Sequence, residues 1–426
     1  MTPSRAHNPM LRVFSLPDFR LLFAGATTSL LGDQFALIAT PWLVLRLTGD
    51  PLVLGAVLAL EGIPRALFML LGGAITDRLS PRLVMLCSDL VRLLLTAAMA
   101  FVVLTGTVQL WMLYAFGLGF GLVAGFAIPA STSIVPMLVG SQDLQAGNAI
   151  TMGAMQLTGF VGPTVAGILI GRYASSDLGI GLAYTIDAAS FAVSAACLVL
   201  MHGGGRLAAS PKAASRPDVG SAIVVGLRFL WQDRGLRLLF LLMAAMNLLF
   251  TGPLLVGIPV LANQRLPEGA TAFGLLMSAF AGGNLIGYLL AGALPRPTGA
   301  VMRRFLVVLL AAFALVLGSY GFIRSTWVDF GLTLLLGVGN GYLAILLMTW
   351  IQTRTPQEML GRMMSIVMLS STGLLPISQA VAGAVAKGSL TLLFALAGAL
   401  GLLLTLWAGL QPGLKAFSDS LSALPS

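Results

Sequence analysis

The chain has 426 residues, 58% of them hydrophobic and only 9% charged, and its mean hydropathy is +0.95. Soluble domains carry about 25% charged residues, so 24 Lys and Arg with 15 Asp and Glu could not cover a water-soluble fold of this length. A cytosolic enzyme, a disordered chain and a secreted disulfide scaffold are excluded, which leaves a polytopic membrane protein. Cys87 and Cys197 both fall inside apolar stretches and read as small buried hydrophobes. Residues 1–18 are polar, and the apolar run behind them is too long for a signal-peptide core, so the first span is expected to act as its own insertion signal.

A helix needs about 20 apolar residues to cross a bilayer. Twelve such segments follow in order: 19–46, 52–75, 82–105, 109–137, 144–171, 178–201, 235–262, 271–293, 304–323, 327–353, 359–386 and 389–410. No apolar run alternates with period two, so the predicted class is all-α. Connections are short except 202–234, where Gly203-Gly204-Gly205, Pro211 and Pro217 mark a flexible joint and 222–231 reads as an amphipathic surface helix. The predicted organisation is an N-terminal segment 1–18, a six-helix bundle 19–201, a linker 202–234, a second bundle 235–410 and a tail 411–426.

Basic residues set the orientation. With both termini cytoplasmic, the inner segments hold 17 of the 24 Lys and Arg and the outer loops five; Arg65 and Arg92 lie within spans. The net charge of +9 is thereby assigned to positive-inside bias and not to a nucleic-acid surface. The six tryptophans fall near span ends, as an interfacial belt does. The halves also repeat: Arg20-Leu21-Leu22-Phe23 returns as Arg237-Leu238-Leu239-Phe240, Pro41 as Pro259, and Gln142-Asp143-Leu144 as Gln357-Glu358-Met359. Two parallel six-span repeats suit alternating access.

The segment Gly73-Ala74-Ile75-Thr76-Asp77-Arg78-Leu79-Ser80-Pro81-Arg82 is similar to the loop between spans two and three of the major facilitator superfamily. Ser80 and Pro81 replace a glycine and a basic residue of that pattern. Gly32-Asp33, Ala39-Thr40-Pro41-Trp42, Asp89-Leu90-Val91-Arg92, Asp187-Ala188-Ala189-Ser190-Phe191 and Gly361-Arg362 resemble its macrolide-efflux and enterobactin-exporter branch. Gly162-Pro163-Thr164-Val165-Ala166-Gly167 resembles the antiporter element of the superfamily, with Ala166 in place of one glycine. Ordinary close packing of helices is the alternative for Gly162, Pro163 and Gly167.

Charges in hydrocarbon cost about 2.5–3.5 kcal/mol each on insertion scales. Six are read within spans, all in the first half: Asp33, Glu61, Arg65, Asp89, Arg92 and Asp187; no acid is read within a span of the second half. Asp33 lies about 20 Å from either end of its span, too deep to snorkel, and is the first candidate for proton coupling. Glu61 and Arg65, at i and i+4 on one helix face, form the second. Asp89 and Arg92 read as a gate brace, and Asp187 as a helix–helix hydrogen bond. The resemblance implies that Gly73, Asp77, Arg78 and Arg82 latch against the start of span eleven at Gly361 and Arg362, where a helix N-terminus favours the carboxylate.

Among uncharged polar residues deep in spans, Gln34, Asn247 and Asn340 lie on the spans that line the cavity of the superfamily. Gln156, Asn284 and Gln379 are the remaining substrate candidates. A mostly apolar cavity suits an amphipathic or lipophilic solute. The two histidines form no metal-ligand pattern, and no phosphate-binding loop is present, so neither metal nor nucleotide cofactor is expected. The expected function is export of a small amphipathic molecule in exchange for protons, by a monomer in a bacterial inner membrane. A lipid or lysophospholipid translocase, an uptake carrier and a non-transporting membrane sensor are the alternatives.

Overall fold

Prolines open the first helices. Pro9, Pro17, Pro51 and Pro81 stand at the first positions of α1 (Pro9–Phe14), α2 (Pro17–Thr48), α3 (Pro51–Arg78) and α4 (Pro81–Leu104), where a missing N–H costs no intrahelical bond. Next come α5 (Leu110–Leu138), α6 (Leu144–Arg172), α7 (Leu178–Leu200), α8 (Arg234–Met246) and α9 (Ile258–Gln264). The last are α10 (Ala270–Ala293), α11 (Gly299–Ser319), α12 (Thr326–Arg354), α13 (Leu375–Gly388) and α14 (Leu390–Leu410). The computed structural model describes residues 9–78, 80–202, 234–294, 299–355 and 373–411, with 228, 230–232 and 363 besides. Among the described residues every regular element is helical, and eleven helical stretches are long and apolar enough to cross a membrane. The span expected at 359–386 is described only from residue 373, apart from Met363, and the amphipathic helix expected at 222–231 falls largely outside the described residues.

The chain divides into two compact units, one of residues 1–43 and 63–215, the other of 44–62 and 216–426. In the first unit α4 packs along α7 and against α5. At one end, Val13, Phe19, Leu22, Ile134 and Leu198 form a buried cluster under α1. Arg12 on α1 is ion-paired with Asp143, and this carboxylate, hydrogen-bonded to the guanidinium, raises the Arg12 pKa above its ordinary value. At the same end Asp18 Oδ1 accepts from the His202 amide at 3.0 Å.

In the second unit α10 packs on α12, and α11 on α14. Gly283 and Gly287 on α10 meet Gly337 and Gly341 on α12. A Cβ at Gly283 would stand 2.8 Å from the Gly337 Cα, so only this small-residue spacing lets the backbones approach so closely. Segment 44–62 packs on α13: a Cβ at Gly55 would stand 3.0 Å from the Gly383 Cα, and Lys387 Nζ donates to Asp50 Oδ2 at 2.8 Å.

The span expected as one helix over 235–262 is interrupted. Two π-helical turns, Asn247–Thr251 and Pro253–Gly257, separate α8 from α9. Pro253 supplies no amide, and Ser378 enters the opened ladder: its hydroxyl accepts from the Gly252 amide at 2.9 Å and donates to the Leu248 carbonyl at 2.6 Å. A side chain inserted between residues i and i−4 is a recognised cause of such a break.

Candidate functional site

Three motifs that are far apart in the chain meet inside the first unit. Gly32-Asp33 comes from α2, Asp89 and Arg92 from α4, and Asp187, Ser190, Phe191 and Ser194 from α7. On α4 the spacing is i, i+3, and on α7 it is i, i+3, i+4, i+7, so each helix turns these residues to one face. A Cβ at Gly32 would lie 2.8 Å from Asp187 Oδ1 and 2.6 Å from the Ser190 Cβ, and that glycine is what brings α2 onto α7. Asp33 is therefore delivered to the α4–α7 seam.

One guanidinium stands within electrostatic reach of three carboxylates, although among the described residues it forms no direct ion pair with any of them. Arg92 interacts electrostatically with Asp33, Asp89 and Asp187, and Asp33 in turn interacts with both other acids. Ser194 Oγ donates to Asp89 Oδ2 at 2.6 Å, so this acid has a fixed partner. Asp187 is 0% exposed, and both of its carboxylate oxygens are buried without a hydrogen bond. Ser190 leaves it unsatisfied because its hydroxyl donates instead to the Asp187 backbone carbonyl at 2.7 Å. The Arg92 Cζ sits 5.2 Å from the Phe120 ring centre and 5.5 Å from that of Phe191. Two aromatic faces thus hold the cation by its charge, and its Nε has no hydrogen-bond acceptor.

Such an arrangement has a chemical consequence. A lone cation cannot balance three ionised carboxylates in hydrocarbon, where each uncompensated charge costs about 2.5–3.5 kcal/mol.

Other sequence candidates have different surroundings. Glu61 and Arg65 are both half-buried on α3. Asp89, expected as a brace near a gate, is 6% exposed and part of the interior cluster. Arg82, expected in a latch with Asp77, donates to the carbonyls of Leu198 at 2.7 Å and Val199 at 3.0 Å, capping the end of α7, where a cation suits the helix dipole. Gly73, Asp77 and Arg78 fall in the last turns of α3, with their side chains outside the described residues, and Gly361 and Arg362 lie outside them entirely.

Gly162, Pro163 and Gly167 are buried on one face of α6. A Cβ at Gly162 would meet the Gln34 Cβ and Cγ at 2.6 Å, so Gln34 packs against this element. Asn340 donates to Asn284 Oδ1 at 2.8 Å, which commits both amides to the α10–α12 contact. Asn247 donates to the Met243 carbonyl at 2.9 Å at the start of the first π turn. Gln379 is 4% exposed with its Oε1 unpartnered, whereas Gln156 is half-buried.

Asp187, expected as a helix–helix hydrogen bond, makes none through its carboxylate, and two further expectations are corrected. The second half does carry an acid within a span: Asp329, in the first turn of α12, is 0% exposed and its carboxylate oxygens have no hydrogen bond. It lies third in the span expected at 327–353 and was overlooked there; the Tyr320 hydroxyl and Thr333, bonded to each other at 2.7 Å, close around that end of the helix. Its signal was there as Asp three residues into a helix that starts at Thr326. Cys87, expected in the interior, is exposed on α4; it stands two residues before Asp89, which faces the cluster.

The long apolar helices among the described residues mark a polytopic membrane protein, and its relatives make it a transporter of the major facilitator type. The chain belongs to the transmembrane secretion effector family, whose sequence profile matches residues 10–424. It is 28% identical over 392 residues to an uncharacterised MFS-type transporter of Sinorhizobium fredii, covering 89% of this chain and 91% of that protein. It is 27% identical over 362 residues to the enterobactin exporter EntS of Salmonella typhimurium, covering 82% and 80% respectively. Solved structures share the fold: a peptide transporter POT bound to sulfate (TM-score 0.70, 15% identity, 93% and 95% coverage) and the nucleoside transporter NupG (TM-score 0.66, 12% identity, 97% and 100% coverage).

Proposed function

We propose that the protein exports a small amphipathic or lipophilic molecule by alternating access and takes up protons in exchange, with Asp33 as the coupling acid. The observation that carries this reading is the placement of Asp33 in one electrostatic cluster with Arg92, Asp89 and Asp187. A charge balance that changes with each proton gives a reason for the site to rearrange, and a ligand or proton shifts a conformational equilibrium only through such differential interaction. Glu61 and Arg65 are the second candidates for coupling. Gln34, Gln156 and Asn247 are proposed as substrate contacts, and Asn284, Asn340 and Gln379 as helix-packing amides. The superfamily-type latch of Asp77 with Gly361 and Arg362 belongs to the same proposal.

The family assignment and the exporter among the relatives support the outward direction. Twelve spans with both termini in the cytoplasm of a bacterial inner membrane follow from the hydropathy and the distribution of Lys and Arg. The test uses inside-out vesicles acidified by respiration and carrying a pH dye. Lipophilic cations, macrolides, catecholate siderophores and lysophospholipids are added in turn. Alkalinisation by a member of the panel with the wild-type chain, absent from vesicles lacking it, supports the reading; no response to any class contradicts proton-coupled export.

A further inference from the structure

The cluster contains one group that coupling through Asp33 does not use. We propose that Asp187, sealed against α2 at the Gly32 contact, is a second proton-carrying carboxyl of the exchange site beside Asp33; this rests on the proton-exchange reading above.

Three independent features single it out. Its carboxylate is the one acid of the three that is wholly excluded from solvent with both oxygens unpartnered. An ionised group so placed, without a hydrogen bond, is among the most costly arrangements in a protein interior, whereas a protonated carboxyl removes the charge. Asp89, by contrast, keeps the Ser194 hydroxyl as a donor. A Cβ at Gly32 would stand 2.8 Å from Asp187 Oδ1, so this carboxylate lies against the backbone of the residue next to Asp33. Lastly, Arg92 is seated on aromatic faces and its Nε is uncommitted, so no hydrogen bond at that atom has to break for the cation to shift between carboxylates.

Among the described residues, the charged and titratable groups facing Asp187 come from its own helix, α4 and α2. Its helix α7 contributes Tyr184, whose hydroxyl is hydrogen-bonded to Thr40 at 2.9 Å. Helix α4 contributes Asp89 and Arg92, and α2 contributes Asp33. Helix α5 carries only Tyr114, near its start, and α6 only Arg172, at its end. The step is a simple proton transfer: when alternating access opens the seam to water, a proton joins one Asp187 oxygen and cancels its charge, and the Arg92 charge is left to balance Asp33. When that proton leaves to water from the opened seam, Arg92 again faces two ionised carboxylates.

The experiment is infrared difference spectroscopy of the purified full chain in lipid nanodiscs, titrated with pH, for wild type, Asp187→Asn, Asp187→Glu and Asp33→Asn. The proposal expects a titrating carboxyl band that is lost in Asp187→Asn, shifts in frequency in Asp187→Glu and titrates at a different pH in Asp33→Asn. A residue with a purely structural role would contribute no titrating band. Spectra of Asp187→Asn that superimpose on wild type, or a band unmoved by Asp33→Asn, would overturn it. Should Asp187→Asn not fold, Asp187→Glu decides: a displaced band supports the proposal and an unchanged spectrum overturns it. Failure of the broader reading is distinguishable, because the Asp187 band would still titrate while wild-type vesicles respond to no compound.

Discussion

Gly32→Ala puts the geometry of the acid cluster under direct strain. The added methyl would stand 2.6 Å from the Ser190 Cβ and 2.8 Å from Asp187 Oδ1, against about 3.5–4.0 Å for an unstrained carbon contact. Relief by side-chain rotation is blocked, because the Ser190 hydroxyl is bonded to the Asp187 carbonyl and both residues are buried. The two helices must separate instead. Overpacking of this kind costs about 1–3 kcal/mol, equivalent to about 5- to 150-fold in an equilibrium constant. The assay is thermal unfolding of the purified chain in detergent, together with substrate-driven alkalinisation in vesicles. Both should fall in Gly32→Ala, and Ser190→Gly in the same chain should restore part of each loss, as coupling of about 0.5–3 kcal/mol between contacting sites allows. Wild-type stability and transport in Gly32→Ala, or purely additive losses in the double variant, would refute the contact.

Further outcomes follow from other parts of the structure. Ser378→Ala removes a hydroxyl that makes two hydrogen bonds to the broken helix at Gly252 and Leu248; it should lower unfolding stability by about 0.5–1.5 kcal/mol per bond, measured by thermal denaturation. Asp50 is held below its ordinary pKa first by the Lys387 hydrogen bond. Its contribution is therefore present above the unfolded carboxylate range and lost as pH falls through the lowered value. Lys387→Ala should flatten the acid limb of a stability–pH profile, and high salt should mimic it because the pair is exposed. Arg12→Ala unties α1 from Asp143, and limited proteolysis should then cut earlier near the N-terminus. Gly55→Leu should be more destabilising than Gly49→Leu in the same thermal assay, since a Cβ at Gly55 faces the Gly383 backbone at 3.0 Å while none lies within 4 Å of a Cβ at Gly49; the positive φ of Gly49 sets a floor to that comparison.

The hydrophobic spans were legible because a bilayer demands length, and long apolar runs state it without help from distant contacts. Asp33, Asp89, Arg92 and Asp187 were each legible as costly charges. Their convergence was not, since it depends on the rotation of α2, α4 and α7 about their own axes, which no single run encodes. For the same reason Asp89 read as a brace and Asp187 as a helix–helix bond, although the three quoted motifs turn out to be three sides of one cluster. Asp329 was overlooked inside a span that was otherwise well placed: it is the third residue of the stretch expected over 327–353, and the helix of the fold begins one residue earlier, at Thr326. The break at Asn247–Gly257 was hinted at by Pro253 and Pro259, but the inserted Ser378 comes from a helix more than a hundred residues away.

Coupling at Asp33 is the central claim, and proteoliposomes holding the wild-type chain or Asp33→Asn test it most directly once one substrate of the panel is known. Two fluxes are compared in each: uphill accumulation driven by an imposed pH gradient, and exchange of internal for external substrate without a gradient. Asp33→Asn is predicted to lose the first and keep the second, because neutralising the acid removes the link to protons while leaving the carrier able to reorient. Gradient-driven accumulation by Asp33→Asn at the wild-type level would contradict the account.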